Sequence, residues 1–261
     1  PEDYTNRGSI VTPLKDRIGS QILTHYPETI AIARTITQQE AKLLHQQSET
    51  IHVPSLAKDL LEQISFEARE SEYIDSKSGV SARLSITAYE TLLSTAERRA
   101  LQSGAETTTV RLSDFMGIIP AITGKVELVY EGEQEGAEQI SFHLINQAVK
   151  TLFPLYFPDI KKLEKQDEKG PYDQLLGWFY GDNELFLEDN LPDNVYHDTL
   201  RDVPNLKKLI ATHQADCPAE NIFFMMEFLL WGLEANKKLN KYRTMEGFQF
   251  KDGLGNLLSG I

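Results

Sequence analysis

Two arginines, Arg17 and Arg83, are the residues of this sequence best suited to chemistry. Arginine stays charged at physiological pH, and its planar guanidinium can bind two oxygens of one phosphate group. Arg17 lies in a short helix-like turn that ends at Gly19, and Arg83 follows a turn that contains Gly79. Both contexts are suited to contact with the phosphates of a nucleotide. Context alone nevertheless favours an ordinary surface arginine in each case, paired with Asp16 or with Asp75.

The sequence contains no phosphate-binding loop of its own. Such a loop needs Gly, four residues, and then Gly-Lys-Ser/Thr, so that backbone amides surround the phosphates and the hydroxyl reaches Mg²⁺. The nearest stretch has six residues between Gly117 and Gly124, and Val126 stands where the hydroxyl is needed. Gly253-Leu254-Gly255 is half of a dinucleotide fingerprint, without a strand–helix unit after it.

One group of possible metal ligands is present, formed by His213, Asp216 and Cys217. A closed site takes about four ligands, and no second group lies within reach along the sequence. We therefore interpret these residues as a helix end and a cap, and we predict no metal site.

Composition limits the classes of function. The 261 residues are 41% hydrophobic and 25% charged, and the net charge of −13 argues against a basic nucleic-acid-binding face. The single cysteine excludes an internal disulfide and suits a reducing compartment, so the cytoplasm is the expected location. No apolar run approaches the roughly 20 residues of a membrane span. A first residue Pro1 suggests a product cut from a longer chain.

The elements that must position the two arginines are mostly helical. Residues 21–26 could form a short strand, and a helix is predicted from Pro27 to Ser48, with Ile32 and Ile36 on its inner face. A second helix begins at Ser55. The pair Thr87 and Glu90 has the spacing of a capping box, which predicts a third helix from Thr87 to about Leu101. A short helix from Ser113 should be interrupted by Pro120.

Further along the chain, alternation from Lys125 to Glu131 predicts a strand or hairpin followed by a loop at 132–136. Three more features are predicted for the remainder: a helix from Glu138 that stops at Phe153-Pro154, a charged surface turn at 161–170, and an apolar core helix around Ile222–Trp231. Other predicted helices cover 171–180 and 205–213, and the apolar helix extends over 219–238.

Two stretches resemble AAA+ ATPases of the magnesium chelatase subunit I and MoxR-like type. The run Pro1-Glu2-Asp3, followed by Pro13-Leu14-Lys15-Asp16-Arg17-Ile18-Gly19, is similar to the end of the ATPase core. In that family the sensor 1 asparagine precedes Pro-Glu, and a later Leu-Leu-Asp-Arg-Phe supplies the arginine finger. The resemblance implies that Arg17 is the catalytic finger and Asp16 its neighbour. Ile18 departs from the commoner Phe.

The second stretch, Ser78-Gly79-Val80-Ser81-Ala82-Arg83-Leu84, resembles the sensor 2 region of the helical lid. Arg83 would then contact the phosphates of the bound nucleotide. A helix that begins only after Arg83 would depart from the family pattern, and Arg98 and Arg99 are the fallback candidates for this role.

The resemblance covers roughly residues 1–130 and implies a mainly α fold. Residues 1–27 would end an α/β ATPase core, 28–124 would form a four-helix lid bundle, and 125–261 would add a strand or hairpin and a helical C-terminal extension. The implied function is coupling of ATP hydrolysis to remodelling of a client protein, with ATP and Mg²⁺ bound by the intact protein. The implied partners are copies of the chain itself, in a ring expected to have six subunits.

Two alternatives stay open. The chain could be a helical protein-interaction module without catalytic activity, acting through the Met-rich and aromatic helix at Ile222–Trp231. It could also belong to the motor subunit of a true metal chelatase. Because the segments that bind and hydrolyse ATP are missing from the sequence, we expect the chain alone to be inactive and to bind no nucleotide tightly.

Overall fold

The N-terminal half of the protein is a first layer of helices that pack against one another. The structure, a computed structural model, describes residues 17–20, 22, 24–164 and 170–252. This part of the chain is mainly helical, as predicted. The first layer contains α1 (Ile30–Glu40), α2 (His45–Thr50), α3 (Ser55–Glu70) and α4 (Arg83–Ser103), with the two-residue parallel pair β1 (Ile51–His52) and β2 (Thr108–Thr109). The described residues among 21–26 form no strand.

Helix α1 packs through a face different from the predicted one. Ala33 and Thr37 are its buried residues, whereas Ile32 and Ile36 remain 48% and 39% exposed. A small residue at the contact allows α1 to approach α3 closely, and the ion pair from Arg34 to Asp59 of α3 (2.7 Å) fixes the rotation of the helix. This rotation directs the two isoleucines outward.

Helix α4 begins at Arg83, so the predicted start at Thr87 is wrong. Ser81 starts the helix early: its hydroxyl accepts the N–H of Arg83 (3.2 Å), and its carbonyl accepts the N–H of Leu84 (2.9 Å). At the other end Gly104 adopts φ +71°, and its N–H bonds the carbonyls of the last turn. Arg83 is therefore the first residue of a 21-residue helix.

The connection to the C-terminal half consists of short helices, and the stretch between the last two is irregular where a strand was predicted. A 3₁₀-helix (Ser113–Ile118) leads into α5 (Ile119–Thr123) and α6 (Tyr130–Glu135). Pro120 lies in the first turn of α5, where its missing N–H costs nothing, so it starts a helix and does not break one. Of the stretch 125–131, only Leu128 forms a β-bridge, to Ile74. The predicted strand is therefore wrong.

The C-terminal half combines helices with a small sheet that the sequence did not predict. Its helices are α7 (Ala137–Tyr156), α8 (Ile160–Glu164), α9 (Asp173–Tyr180), α10 (Asp193–Arg201), α11 (Leu206–His213), a 3₁₀ turn (Ala219–Asn221) and α12 (Ile222–Ala235). The strands β3 (Leu185–Glu188), β4 (Leu239–Arg243) and β5 (Gly247–Asp252) pair antiparallel in the order β3-β5-β4. Helix α7 continues through Pro154, which was predicted to end it.

The core lies around α12, whose residues Phe224–Leu233 are all buried. The apolar cluster is continuous from Ile51 in the first half to Phe250 in the second. The predicted core helix at Ile222–Trp231 is confirmed. No helix in the described ranges is long and apolar enough to cross a membrane.

Candidate functional site

A cleft of about 780 Å³ lies beside the start of α4. Three segments line it: Thr24–Tyr26, which precedes α1; Ser78–Ala82, which precedes α4; and Gly124–Glu127, which follows α5. The cleft therefore adjoins the turn that carries Arg83 and the segment that leads back toward Arg17.

Tyr26 closes one side of this cleft by contacts from both its ring and its hydroxyl. The hydroxyl oxygen accepts the N–H of Val80 (3.0 Å). The guanidinium carbon of Arg69 lies 4.2 Å from the centre of the Tyr26 ring and 4.9 Å from that of Phe66. These cation–π contacts hold the ring in place while the hydroxyl binds the turn.

Ser78 organises the polar part of the turn. Its hydroxyl oxygen lies 2.8 Å from the Asp75 carboxylate and 2.6 Å from the Glu127 carboxylate. Asp75 also accepts the N–H of Lys77 (3.0 Å), and the bonds from Ser78 and Lys77 lower the pKa of Asp75. Asp75 therefore holds the turn itself, and the structure shows no ion pair from it to Arg83.

Arg83 is exposed, and its side chain makes no ion pair with any residue that the structure describes. Helix α4 has no acidic residue in its first turn, and Ser81 accepts the N–H groups of its first two residues. The start of a helix carries partial positive charge, so the guanidinium and the helix end both favour an anion at this position. Lys125 adds a third positive group that lines the cleft.

Arg17 is exposed and has a helical backbone. Within the described ranges it makes no ion pair, and no hydrogen bond links it to the cleft. Asp16 lies outside the described residues, so the predicted catalytic neighbour and the alternative Arg17–Asp16 pair both stay predictions. The structure thus places Arg83 directly after a segment that lines the cleft, whereas no contact among the described residues links Arg17 to it.

The two fallback arginines differ completely in environment. Arg98 is exposed, whereas Arg99 is 2% exposed. Arg99 binds both carboxylate oxygens of Asp114 (3.0 and 2.9 Å) and one of Asp193 (2.9 Å). It also donates to the Thr108 hydroxyl (2.9 Å). Arg99 is therefore a structural residue and is not accessible to a ligand.

A second arginine and a buried glutamate extend this network into α12. Arg111 donates to the Asp193 carboxylate, and its guanidinium carbon lies 3.9 Å from the centre of the Tyr196 ring. Glu227 accepts the N–H groups of Leu112 and Ser113 (2.9 Å each) and the Tyr196 hydroxyl (2.8 Å). The network connects α4, the 3₁₀-helix, α10 and α12.

Sequence reasoning missed this network and the role of Tyr26. Glu227 interrupts an otherwise apolar run, which signals a buried partner, but its donors lie about 30 and 115 residues away along the chain. Arg99 lies seven residues after Leu92 and three after Ala96, on the buried face of α4. This helical spacing is a local signal that Arg99 is buried. No local pattern marks Tyr26, because its contacts reach Arg69 and Val80.

Among the residues that the structure describes, no group of three His, Cys, Asp or Glu side chains could hold a metal ion. Comparison of the chain with family models, with curated proteins and with solved structures gives no match. The function must therefore be argued from the cleft itself.

Proposed function

We propose that this chain is the lid and C-terminal portion of a magnesium-chelatase-like AAA+ ATPase, which couples ATP hydrolysis to remodelling of a client protein. The observation that carries the proposal is the placement of Arg83. It is the exposed first residue of a long helix, it directly follows a segment that lines a cleft, and it makes no ion pair with a described residue.

The proposal is supported by two positive groups, Arg83 at the start of α4 and Lys125 in the lining of the cleft, which also contains the carboxylate of Glu127. Arg83 would bind phosphate oxygens through its two terminal nitrogens, and Lys125 would add a point charge. ATP would supply the phosphoryl group, with Mg²⁺ held by segments other than this chain. In the proposal Arg83 stabilises the negative charge on the phosphates, and closing of the lid excludes water.

Arg17 would act on the nucleotide bound by a neighbouring subunit of a ring. Its exposure leaves the guanidinium accessible to a second molecule. In the longer protein, mixing Arg17→Ala subunits with subunits defective in the phosphate loop should restore activity, because each supplies what the other lacks. No recovery above either variant alone would remove the support for action across the interface.

The role of Arg83 is tested by titrating the chain with ATP and following backbone and arginine side-chain NMR signals. We expect weak binding, with shifts concentrated at Ser78–Arg83. Arg83→Ala should weaken it by roughly ten-fold or more, since a hydrogen bond to a charged group contributes about 1.5–3 kcal/mol. The control is Arg98→Ala, an exposed arginine on the same helix, which should leave the affinity unchanged.

Two outcomes would contradict the proposal. Shifts scattered over the surface, or equal losses of affinity in Arg83→Ala and Arg98→Ala, would show that ATP binds only through general charge. Robust Mg²⁺-dependent hydrolysis by the chain alone, lost in Arg83→Ala, would refute the expectation that the catalytic segments lie elsewhere.

The alternative of a helical interaction module has less support from the structure. Its motivating feature was the aromatic and Met-rich helix, and α12 is buried from Phe224 to Leu233. Any partner would have to use another surface.

A further inference from the structure

We propose that Tyr26 is a positioning residue for Arg83, which couples the segment before α1 to the phosphate-binding end of α4. This inference rests on the proposed function of Arg83. It goes beyond it by assigning a role to a residue that lies 57 positions earlier in the chain.

The hydroxyl of Tyr26 binds the turn close to the arginine. Its oxygen accepts the Val80 N–H at 3.0 Å, three residues before Arg83. The Val80 side chain is 3% exposed and belongs to the core. The turn is thus fixed from two sides, by the core below and by the Tyr26 hydroxyl above. Ser81 then starts α4 directly after it.

Gly79 makes this contact possible. It adopts φ +69°, a conformation that L side chains rarely adopt, and a Cβ at this position would lie 2.8 Å from the Tyr26 hydroxyl oxygen. Any larger residue would therefore displace the hydroxyl or the turn. Tyr26 and Gly79 form a matched pair, in which the absence of a side chain on one provides the space for the hydroxyl of the other.

The Tyr26 ring is itself held by α3. Arg69 of α3 lies over the Tyr26 ring at 4.2 Å and also over Phe66 at 4.9 Å. The ring is nevertheless 43% exposed and lines the cleft. A shift of residues 24–26 would therefore move the hydroxyl relative to the turn and change the direction of Arg83.

The test uses three variants of the chain: Tyr26→Phe, Gly79→Ala and the double variant. Tyr26→Phe keeps the ring and its contact with Arg69 and removes only the hydroxyl. We expect hydrogen exchange of the Val80 amide to rise by roughly ten-fold. The ATP dissociation constant should rise by about three- to ten-fold, the range for one net hydrogen bond. Tyr130→Phe, on an exposed ring outside the cleft, is the matched control and should change neither quantity.

The double variant separates direct contact from general strain. Gly79→Ala alone combines the cost of its positive φ with the clash against the hydroxyl. In the Tyr26→Phe background the clashing atom is gone, so the same substitution should weaken ATP binding by a smaller factor. Strictly additive effects of the two substitutions would refute the matched pair, as would an unchanged Val80 exchange rate in Tyr26→Phe.

Failure of this inference can be distinguished from failure of the proposed function. If Val80 exchange rises in Tyr26→Phe, while ATP affinity falls only in Arg83→Ala, then Arg83 binds phosphate without help from Tyr26 and the positioning role is wrong. If Arg83→Ala itself leaves ATP affinity unchanged, both proposals are overturned.

Discussion

Replacing Arg99 by methionine should lower the free energy of unfolding by about 3–5 kcal/mol, the usual cost of breaking a buried ion pair from one side. Arg99 is 2% exposed, and the side chain of its main partner Asp114 is 4% exposed. Methionine fills much of the same volume, so the loss comes mainly from charge and hydrogen bonding. This single change tests whether the network joining α4 to the C-terminal half stabilises the fold.

The loss of unfolding free energy in Arg99→Met depends on which carboxylate loses its partner. Asp193 keeps Arg111 and Thr108 when Arg99 is removed. Asp114 keeps the N–H of Arg111 (2.8 Å) and loses both guanidinium contacts. The cost is therefore that of one buried carboxylate without a cation. The double variant Arg99→Met with Asp114→Asn should recover part of the loss, because it removes that charge as well.

The assay is urea unfolding followed by tryptophan fluorescence and by far-UV circular dichroism. Coincident transitions are required for the free energy to be defined in a chain of this size. Arg98→Met is the matched control: Arg98 is the exposed neighbour on the same helix, and its replacement should change stability by no more than about 0.5 kcal/mol. A loss below about 1 kcal/mol in Arg99→Met, or an equal loss in Arg98→Met, would refute the reasoning.

Four further variants test the C-terminal half. Burial lowers the pKa of Lys241 from 10.5 to about 8, so between these pH values the unfolded chain binds more protons than the native protein. The free energy of unfolding of the native protein, relative to that of Lys241→Met, should therefore rise by up to about 3 kcal/mol from pH 8 to pH 10.5. Urea unfolding measures this difference. Gly232→Ala should lower the melting temperature, because a Cβ at position 232 would lie 1.9 Å from the Phe153 ring. Gly177→Ala in α9 should instead stabilise the protein by about 0.5–1 kcal/mol, because a Cβ at position 177 would have nothing within 4 Å. Glu227→Gln turns one acceptor into a donor that faces other donors and should destabilise by about 1–3 kcal/mol in the same assay.

The helices that carry a one-sided apolar stripe could be predicted from the sequence, whereas contacts between distant segments could not. Helix α3 was predicted to begin at Ser55, as it does, and α12 was predicted as a core helix. The small sheet was missed because β4 and β5 follow α12 in a stretch of mixed polar residues. Strand β3 pairs with β5 more than 50 residues later. Such pairing leaves no local signal in one strand.

The predicted helix boundaries were wrong where a tertiary contact or a single hydrogen bond determines the end of the helix. The capping-box spacing of Thr87 and Glu90 predicted a later start for α4, but Glu90 instead accepts the N–H of Lys42 at 2.7 Å. Ser81 takes the role of starting the helix. Likewise Pro154 lies within α7, where packing of the helix on α3 and α12 outweighs the loss of one hydrogen bond.

The two ends of α4 explain why Arg83 and Arg99 have different roles. Sixteen residues separate them, which corresponds to about 24 Å along the helix axis and a rotation of about 160° around it. Arg99 shares the buried face of Leu92, Ala96 and Ala100, whereas Arg83 lies on the exposed side of the first turn. A rigid helix thus connects the cleft at one end to the buried network at the other.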